Sequence, residues 1–483
     1  MPVNNTHEGP ARIGQYLVNA RSTYFIGVGG IMMSSLALLT AQAGYPVYGS
    51  DREPTPLTEY LQEQGIHIYY EHSHDQIPAD CGLVVFTVAI SPDNPEYVYA
   101  QKHGIPCVSR ADYLGYIMTR YENRVGVSGM HGKSTCTSIC AQIFMDADAD
   151  PTILSGAEYE PMGGAYRIGG DRHFIFEACE YMDSFLDFHP TVAVLLGAEL
   201  EHVDYFKDME HIRRSFATFA SLTGKGGVTV VNADDENSMD SAYRALRADS
   251  TGRIVTFSTR DPAADFYATD ITMTDGRPRF TMVAFGEVWG EVQMIVPGRH
   301  QVYNALAASA AAHVCGIDRR AILRGLSHFV GASRRMELRG EINGAPLYDD
   351  YGHHPTEVRS TLEGAAALCG THEDGTKGRL LVAFQPHTFS RTARLYDQFM
   401  TAFDATDRLV TIDIYPARET DTLGMSSEKL AQDLCTRGRH ATYASSHAEA
   451  AAYLRSIAIP GDVIVVMGAG NVIWVTDHLL GDA

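Results

Sequence analysis

The chain has 483 residues, 45% of them apolar, and 38 Lys and Arg against 59 Asp and Glu give a formal charge of −21. At roughly 150 residues per domain, this length predicts about three globular domains and excludes a disordered chain, a collagen or a disulfide-stapled miniprotein. The acidic balance lacks the basic face that a nucleic-acid partner requires, although a local cluster of donors still permits a phosphorylated ligand.

In chain order, Tyr24–Ile26 predicts a strand that runs into a glycine turn, followed by a helix over Ile31–Ala43 and a strand at Pro46–Tyr48. Leu83–Val88 predicts a further strand. A second set opens with Arg124–Val127 and continues with Phe174–Phe176 and Thr191–Leu196. Asp265–Val296 differs, because the alternating runs Phe266–Ile271, Arg279–Val283 and Val288–Ile295 predict an antiparallel meander before a helix at Tyr303–Val314. The third set has strands at Leu380–Phe384, Leu409–Ile414, Ala441–Ala444 and Val463–Met467, with helices over Thr392–Phe403 and Ser446–Ile457. Strand–helix alternation predicts an α/β protein with parallel sheets covered by helices on both faces, and boundaries near Tyr121 and Ser333.

Eight cysteines occur with no CxxC pair, which makes a zinc site a poor reading. Met1 to Arg12 is polar, and Ala305–Cys315 is too short to span a bilayer. These features predict a soluble, reduced, cytoplasmic protein with no membrane partner.

The strongest motif is Gly129-Met130-His131-Gly132-Lys133-Ser134-Thr135, which follows a predicted strand and opens a helix. Two residues without side chains let backbone N–H groups approach phosphate oxygens, the helix N-terminus adds partial positive charge, Lys133 can bridge phosphates and Ser134 can ligate Mg²⁺. A strict Walker A motif would have glycine where Val127 stands, so this is a shortened variant. Two later strands end in acids, first Glu177, Glu180 and Asp183, then Glu199, Glu201 and Asp204 beside His202. Ligands of open parallel sheets bind beyond the strands' carboxyl ends, so these groups are expected around the same loop. The turn Gly27-Val28-Gly29-Gly30-Ile31-Met32, with Asp51 at ribose-binding distance along the chain, is an imperfect dinucleotide fingerprint. Arg334-Arg335, then Asp349 to Pro355, then His387 with Ser390-Arg391 suit anion binding or proton transfer.

These blocks, together with Ser91 to Glu96 and Pro297 to His300, resemble the Mur ligases along nearly the whole chain and in the same order. The resemblance implies three domains. Residues 1–121 form a Rossmann-like domain that holds a UDP-sugar at Gly27, Gly29, Gly30, Ile31 and Asp51. Residues 122–333 form a central P-loop ATPase domain, mostly parallel sheet plus a small antiparallel meander. Residues 334–483 form a Rossmann-like α/β domain that closes over ATP and presents an amino acid.

The implied reaction joins L-alanine to the carboxylate of UDP-N-acetylmuramate through an acyl phosphate, using ATP and Mg²⁺, in a monomer or weak homodimer that serves peptidoglycan synthesis. By the same resemblance, Gly129 to Thr135 bind ATP, with Asn304 and Asp350 at the adenosine and Arg335 at the γ-phosphate. Ser134 and Glu177 hold one Mg²⁺ and His202 the other. The catalytic set is Lys133, His202, Arg335, His353, His387 and Arg391, with His202 and His353 as candidate bases for the amine. Cys179, Glu201, Gly197, Gln301, Thr388 and Asn471 depart from the family pattern. Two alternatives are a ligase that joins a tripeptide to UDP-muramic acid, and an NAD(P)-dependent oxidoreductase using the Gly27 turn. The second leaves Lys133 and the strand-end acids unexplained.

Overall fold

The computed structural model describes residues 3–202, 205–248, 251–417, 419–420 and 423–481. Asp204, named above among the acids beside His202, lies outside the described residues. The chain forms two compact units: Met1–Tyr267 with Ala284–Gly286 and Leu306–Gly325, and Ala268–Val283 with Glu287–Ala305 and Leu326–Ala483.

The first unit opens with strands β1 (Ser22–Ile26), β2 (Val47–Ser50), β3 (His67–Tyr69), β4 (Cys81–Phe86) and β5 (Cys107–Ser109). They form one parallel sheet in the order β3-β2-β1-β4-β5. Every residue of β1 is buried, as expected of a central parallel strand covered on both faces. The chain reverses its direction of travel across the sheet beside β1, where the Gly27 turn lies, and that is the switch point at which such sheets take ligands.

A second sheet follows, with β6 (Asn123–Ser128), β7 (Thr152–Tyr159), β8 (Gly164–Arg167), β9 (His173–Glu177), β10 (Val192–Leu195), β11 (Gly224–Asn232) and β12 (Thr251–Ser258). Its order is β12-β11-β10-β6-β9-β7-β8, parallel except for β8. β6 is thus flanked by β9 and β10, with Val127 opposite Glu177 and Ser128 opposite Leu195. Side chains from both sheets of this unit, including Phe25, Leu83, Phe176, Phe185 and Phe219, share one apolar cluster.

β13 (Phe266–Thr274) pairs with β12 through Phe266 and Tyr267, and β14 (Arg277–Ala284) and β15 (Glu287–Gln293) follow it in the strand order. Both connections are two residues long. Asp275 and Gly276, then Phe285 and Gly286, all have positive φ, the type I′ geometry of antiparallel hairpins. The expected meander is therefore present.

The second unit carries β16 (Glu337–Ile342), β17 (Ala345–Asp350), β18 (Leu380–Phe384), β19 (Arg408–Ile412), β20 (Ala441–Ala444) and β21 (Val463–Met467). They run β16-β17-β21-β18-β19-β20, parallel except for β16. Asp350 and Phe384 both pair with Met467, so three loops leave the same edge of this sheet side by side.

Eight strands escaped the sequence reading: β3, β5, β7, β8, β11, β12, β16 and β17. β3 and β5 have only three residues each, and β11 begins Gly-Lys-Gly-Gly, so neither length nor alternation marks them. The helix expected over Thr392–Phe403 is two helices, Phe389–Arg394 and Tyr396–Ala402, which meet at Leu395 with φ −100° and ψ 15°. The second helix thereby buries Phe399, Met400 and Ala402.

Candidate active site

The glycine loop after β6 is shaped by its two neighbours. Met130 N–H donates to the Gly197 carbonyl at 3.0 Å, and Ala178 N–H donates to Val127 at 2.9 Å. Gly129 has φ +147°, and a Cβ there would sit 2.8 Å from the Leu196 Cβ, so only glycine follows this path. Gly132 caps the helix Lys133–Asp146 in the left-handed conformation, and no side chain caps the helix start. The first-turn N–H groups are therefore left for another acceptor.

Lys133 folds back over this loop. Its Nζ donates to Gly129 O at 2.6 Å, Met130 O at 3.3 Å and Glu180 Oε1 at 3.0 Å, which matches its three protons. Burial alone would lower the ammonium pKa, but Glu180, with Cys179 and Glu177 behind it, raises it above its ordinary value. Glu180 is fully buried, and burial pushes its pKa up; Lys133 and His202 outweigh that and hold it below the usual carboxylate range. His202 Nε2 lies 3.2 Å from the same Oε1, so in the neutral ring it carries the proton and Nδ1 the lone pair. Glu180 Oε2 is buried and meets no hydrogen-bond donor. Glu177 accepts from Gly156 N–H at 3.0 Å.

In the second unit the three sheet-edge loops assemble another cluster. Arg334 Nη2 donates to Gly468 O at 2.6 Å and pairs with Asp349 at 3.4 Å, while both Arg334 and Arg335 stack over Tyr351 at 5.1 Å. Asp350 accepts from Met336 N–H at 2.9 Å and Gly352 N–H at 2.8 Å. Burial pushes its pKa up to about 6 against the pull of Arg335. Nearby, Asn304 donates to Gln301 at 3.4 Å, and burial beside Arg335 holds His300 down at about 4.

The rings of His353 and His387 stand 5.4 Å apart. Arg391 Nη1 lies 3.1 Å from His387 Nδ1. A guanidinium only donates, so Nδ1 accepts and Nε2 bears the proton. Burial, then His353 and Arg391, lower the His387 pKa to about 4, which fixes it as a neutral donor. His353 Nδ1 is 3.2 Å from the Tyr351 carbonyl, so Nδ1 carries hydrogen there.

Three family models match successive parts of the chain: "Mur ligase family, catalytic domain" over residues 22–122, "Mur ligase middle domain" over 127–312 and "Mur ligase, glutamate ligase domain" over 334–470. The chain belongs to the Mur ligase family. Among curated relatives, a UDP-N-acetylmuramate--L-alanine ligase from Lachnospira eligens is 40% identical over 95% of this chain and 97% of its own. One of the same name from Acetivibrio thermocellus is 41% identical over 96% of each. The crystal structure of a UDP-N-acetylmuramate-alanine ligase from Thermotoga maritima has a TM-score of 0.76 at 25% identity, covering 95% of this chain and 98% of that one. A murein peptide ligase from Psychrobacter arcticus shares the fold, with a TM-score of 0.68 at 24% identity over 96% and 98%.

In this Mur ligase the first unit brings Lys133 together with Glu180 and His202, and Glu177 lies within electrostatic reach of Lys133. Ser134 and Thr135 are buried in the first helical turn. The second unit holds Asn304, Arg335, Asp350, His353, His387 and Arg391. Sequence reasoning noted Glu180 only as one strand-end acid, yet it is the carboxylate that joins Lys133 to His202. Its spacing, three residues past the β9 end, was the available signal. Asp51 is engaged by the turn itself, accepting from Gly29 N–H at 2.6 Å and Arg52 N–H at 2.7 Å. Gly27 N–H in turn reaches Ser50 O at 2.8 Å, and Gly30 caps the helix Ile31–Gln42.

Among the departures, Asn471 accepts from Gln385 at 2.9 Å and His447 at 3.3 Å, and Thr388 sits at φ 65° with its N–H on Tyr415 O. No helix among the described residues is long and apolar enough to cross a membrane.

Proposed function

We propose that this Mur ligase joins L-alanine to the carboxylate of UDP-N-acetylmuramate with ATP as the phosphoryl donor. The observation that carries the reading is Lys133, on a glycine loop beside the segments that follow β9 and β10 and carry Glu180 and His202. Relatives named for this reaction, about 40% identical over nearly the full length, support the choice of substrates. We assign residues 1–121 to the UDP-sugar, 122–333 to ATP and 334–483 to the amino acid, in line with three separate sheets' edges and the three matched ranges.

In the first step a muramoyl carboxylate oxygen bonds to the γ-phosphorus and ADP leaves, giving an acyl phosphate. In the second, the alanine nitrogen bonds to the acyl carbon, and phosphate leaves after the amine loses its proton. A carboxylate meeting a triphosphate is a like-charge encounter, about 4 kcal/mol per pair of unit charges at ~4 Å and an effective dielectric near 20. Lys133 is the cation of the glycine loop that would offset it. For Lys133 this means exchanging a loop carbonyl or Glu180 for a phosphate oxygen.

The hydroxyl of Ser134 and the carboxylate of Glu177 are hard oxygen donors of the kind Mg²⁺ prefers, and Glu180, whose Oε2 is buried without a partner, acts with Glu177 on Lys133. They would hold one ion and His202 a second, and bound Mg²⁺ would supply further charge neutralisation around the phosphates. Asn304 and Asp350 are assigned to the adenosine. His387, neutral with Nε2–H outward from Arg391, suits the alanine carboxylate, and His202 and His353 are the candidate bases. All eight cysteines are free, in keeping with a reducing cytoplasmic setting, and we assign the chain as a monomer or weak homodimer.

The test is phosphate release from ATP. It should require UDP-N-acetylmuramate and L-alanine together, and Lys133→Ala should abolish it while leaving UDP-sugar binding intact. Equal rates with glycine, serine or a tripeptide would defeat the alanine assignment.

A further inference from the structure

A second cluster lies in the first unit, away from the glycine loop. Asp112 belongs to the helix Arg110–Met118, and Asp187 ends the short helical turn Tyr181–Asp187. The two segments are in tight contact, because a Cβ on Gly115 would sit 2.1 Å from the Asp187 carbonyl. His7 arrives from the amino-terminal stretch with Nδ1 2.7 Å from Asp187 Oδ1. Its neighbour Thr6 donates to Asp112, which also accepts from Ser109 at 3.0 Å.

The local charge balance is incomplete. Asp112 is 2% exposed and the Asp187 side chain 6%, yet Asp112 Oδ1 and Asp187 Oδ2 are both buried without a hydrogen-bond partner. One ligand atom from each of His7, Asp112 and Asp187 lies within 4.8 Å of the other two. Two desolvated carboxylates beside one imidazole leave an excess of negative charge and two unsatisfied oxygens within one small cluster. Neither residue takes part in the ligase chemistry assigned above.

We propose that His7, Asp112 and Asp187 form a binding site for a divalent transition-metal ion of the Zn²⁺ or Mn²⁺ kind, which fastens the amino-terminal stretch to the helix Arg110–Met118 and to the turn ending at Asp187. One neutral imidazole and two carboxylates balance a charge of +2, and mixed nitrogen and oxygen donors suit such ions. Bonds of about 2.1 Å place tetrahedral ligands roughly 3.4 Å apart, between the 2.7 Å that now separates His7 Nδ1 from Asp187 Oδ1 and the 4.8 Å that bounds the set.

The test uses the full chain, stripped with EDTA and titrated by calorimetry with Zn²⁺ or Mn²⁺ alone, without nucleotide. One stoichiometric site is expected for at least one of the ions, unchanged by Ser134→Ala. His7→Ala and Asp187→Asn should weaken it at least about tenfold, the scale found for losing a group one shell further out. The His7 side chain is itself 65% exposed, so its replacement leaves the fold intact. Equal affinity in His7→Ala, or no stoichiometric binding by the folded wild type, overturns the proposal. Failure of both ions to bind, with Asp112→Asn raising the thermal midpoint, would show that the carboxylates share a proton instead.

Discussion

Replacing Glu180 by Gln removes one charge and keeps the shape. Glu180 is fully buried, with Lys133 at 3.0 Å and His202 at 3.2 Å on the same oxygen. At 3.0 Å and an effective dielectric near 20, the attraction to Lys133 alone is about 5.5 kcal/mol before desolvation is subtracted. Removing one partner of a buried pair costs about 3–5 kcal/mol, because the other charge stays behind. Lys133 is 13% exposed and keeps two carbonyl acceptors, which places the expected loss near the low end, about 3 kcal/mol.

The loss also has a pH window. Glu180's folded pKa lies below its ordinary 4.5, so its contribution is present above that value and fades as pH falls through the lower folded pKa. Lys133 is raised above 10.5, so its contribution is present below that value and fades as pH climbs past it. The difference between wild type and Glu180→Gln is therefore level across neutral pH and shrinks in acid. Urea unfolding followed by far-ultraviolet circular dichroism at pH 7.5 reads it. Saturating ATP should reduce the loss, since a triphosphate supplies Lys133 with a new counter-charge. A change under about 1 kcal/mol at pH 7.5 would refute the reasoning.

Two further outcomes concern the second unit. His387→Ala should raise the KM for L-alanine by about 10–100-fold, the loss of one hydrogen bond to a charged group, and His387→Gln should recover part of it through its amide N–H. With its pKa near 4, His387 stays neutral from pH 6 to 8, so an inflection near pH 6.5 that vanishes in His387→Gln would contradict the assignment. Asp349, buried between Arg334 and Arg339, has its pKa pushed up to about 6, chiefly by burial. The folded state therefore holds its proton more tightly than the unfolded chain, and wild-type stability rises as pH falls from about 6 towards 3.8. Asp349→Asn should be more stable than wild type at pH 8 by about 1–2 kcal/mol, with the gain gone by pH 4. Thermal melts across that range check it, and destabilisation at pH 8 would show that the arginine pairing dominates.

The sequence was most readable where local chemistry is self-contained. β18, β20 and β21 match their expected bounds, since each is a short apolar run between breakers. The glycine loop announced itself because its tight strand-to-helix turn needs glycine at fixed places, and Gly129 and Gly132 occupy the conformations that demand it. β16 and β17 were missed although Asn343-Gly344 has positive φ at both positions, a hairpin signal available in the sequence.

What the residues determined alone was the alternation of strand and helix, the place of the glycine loop and the order of blocks that marks the family, because each depends on contacts within a few positions. What only the tertiary structure decided was partnership. Placing β6 between β9 and β10 is what turns Glu180 into the counter-charge of Lys133, and the β17-β21-β18 order is what brings His353 to His387. The neutral state of His387 likewise follows from burial beside Arg391. Strand order is set by how whole sheets bury their faces, and no short stretch of sequence encodes it.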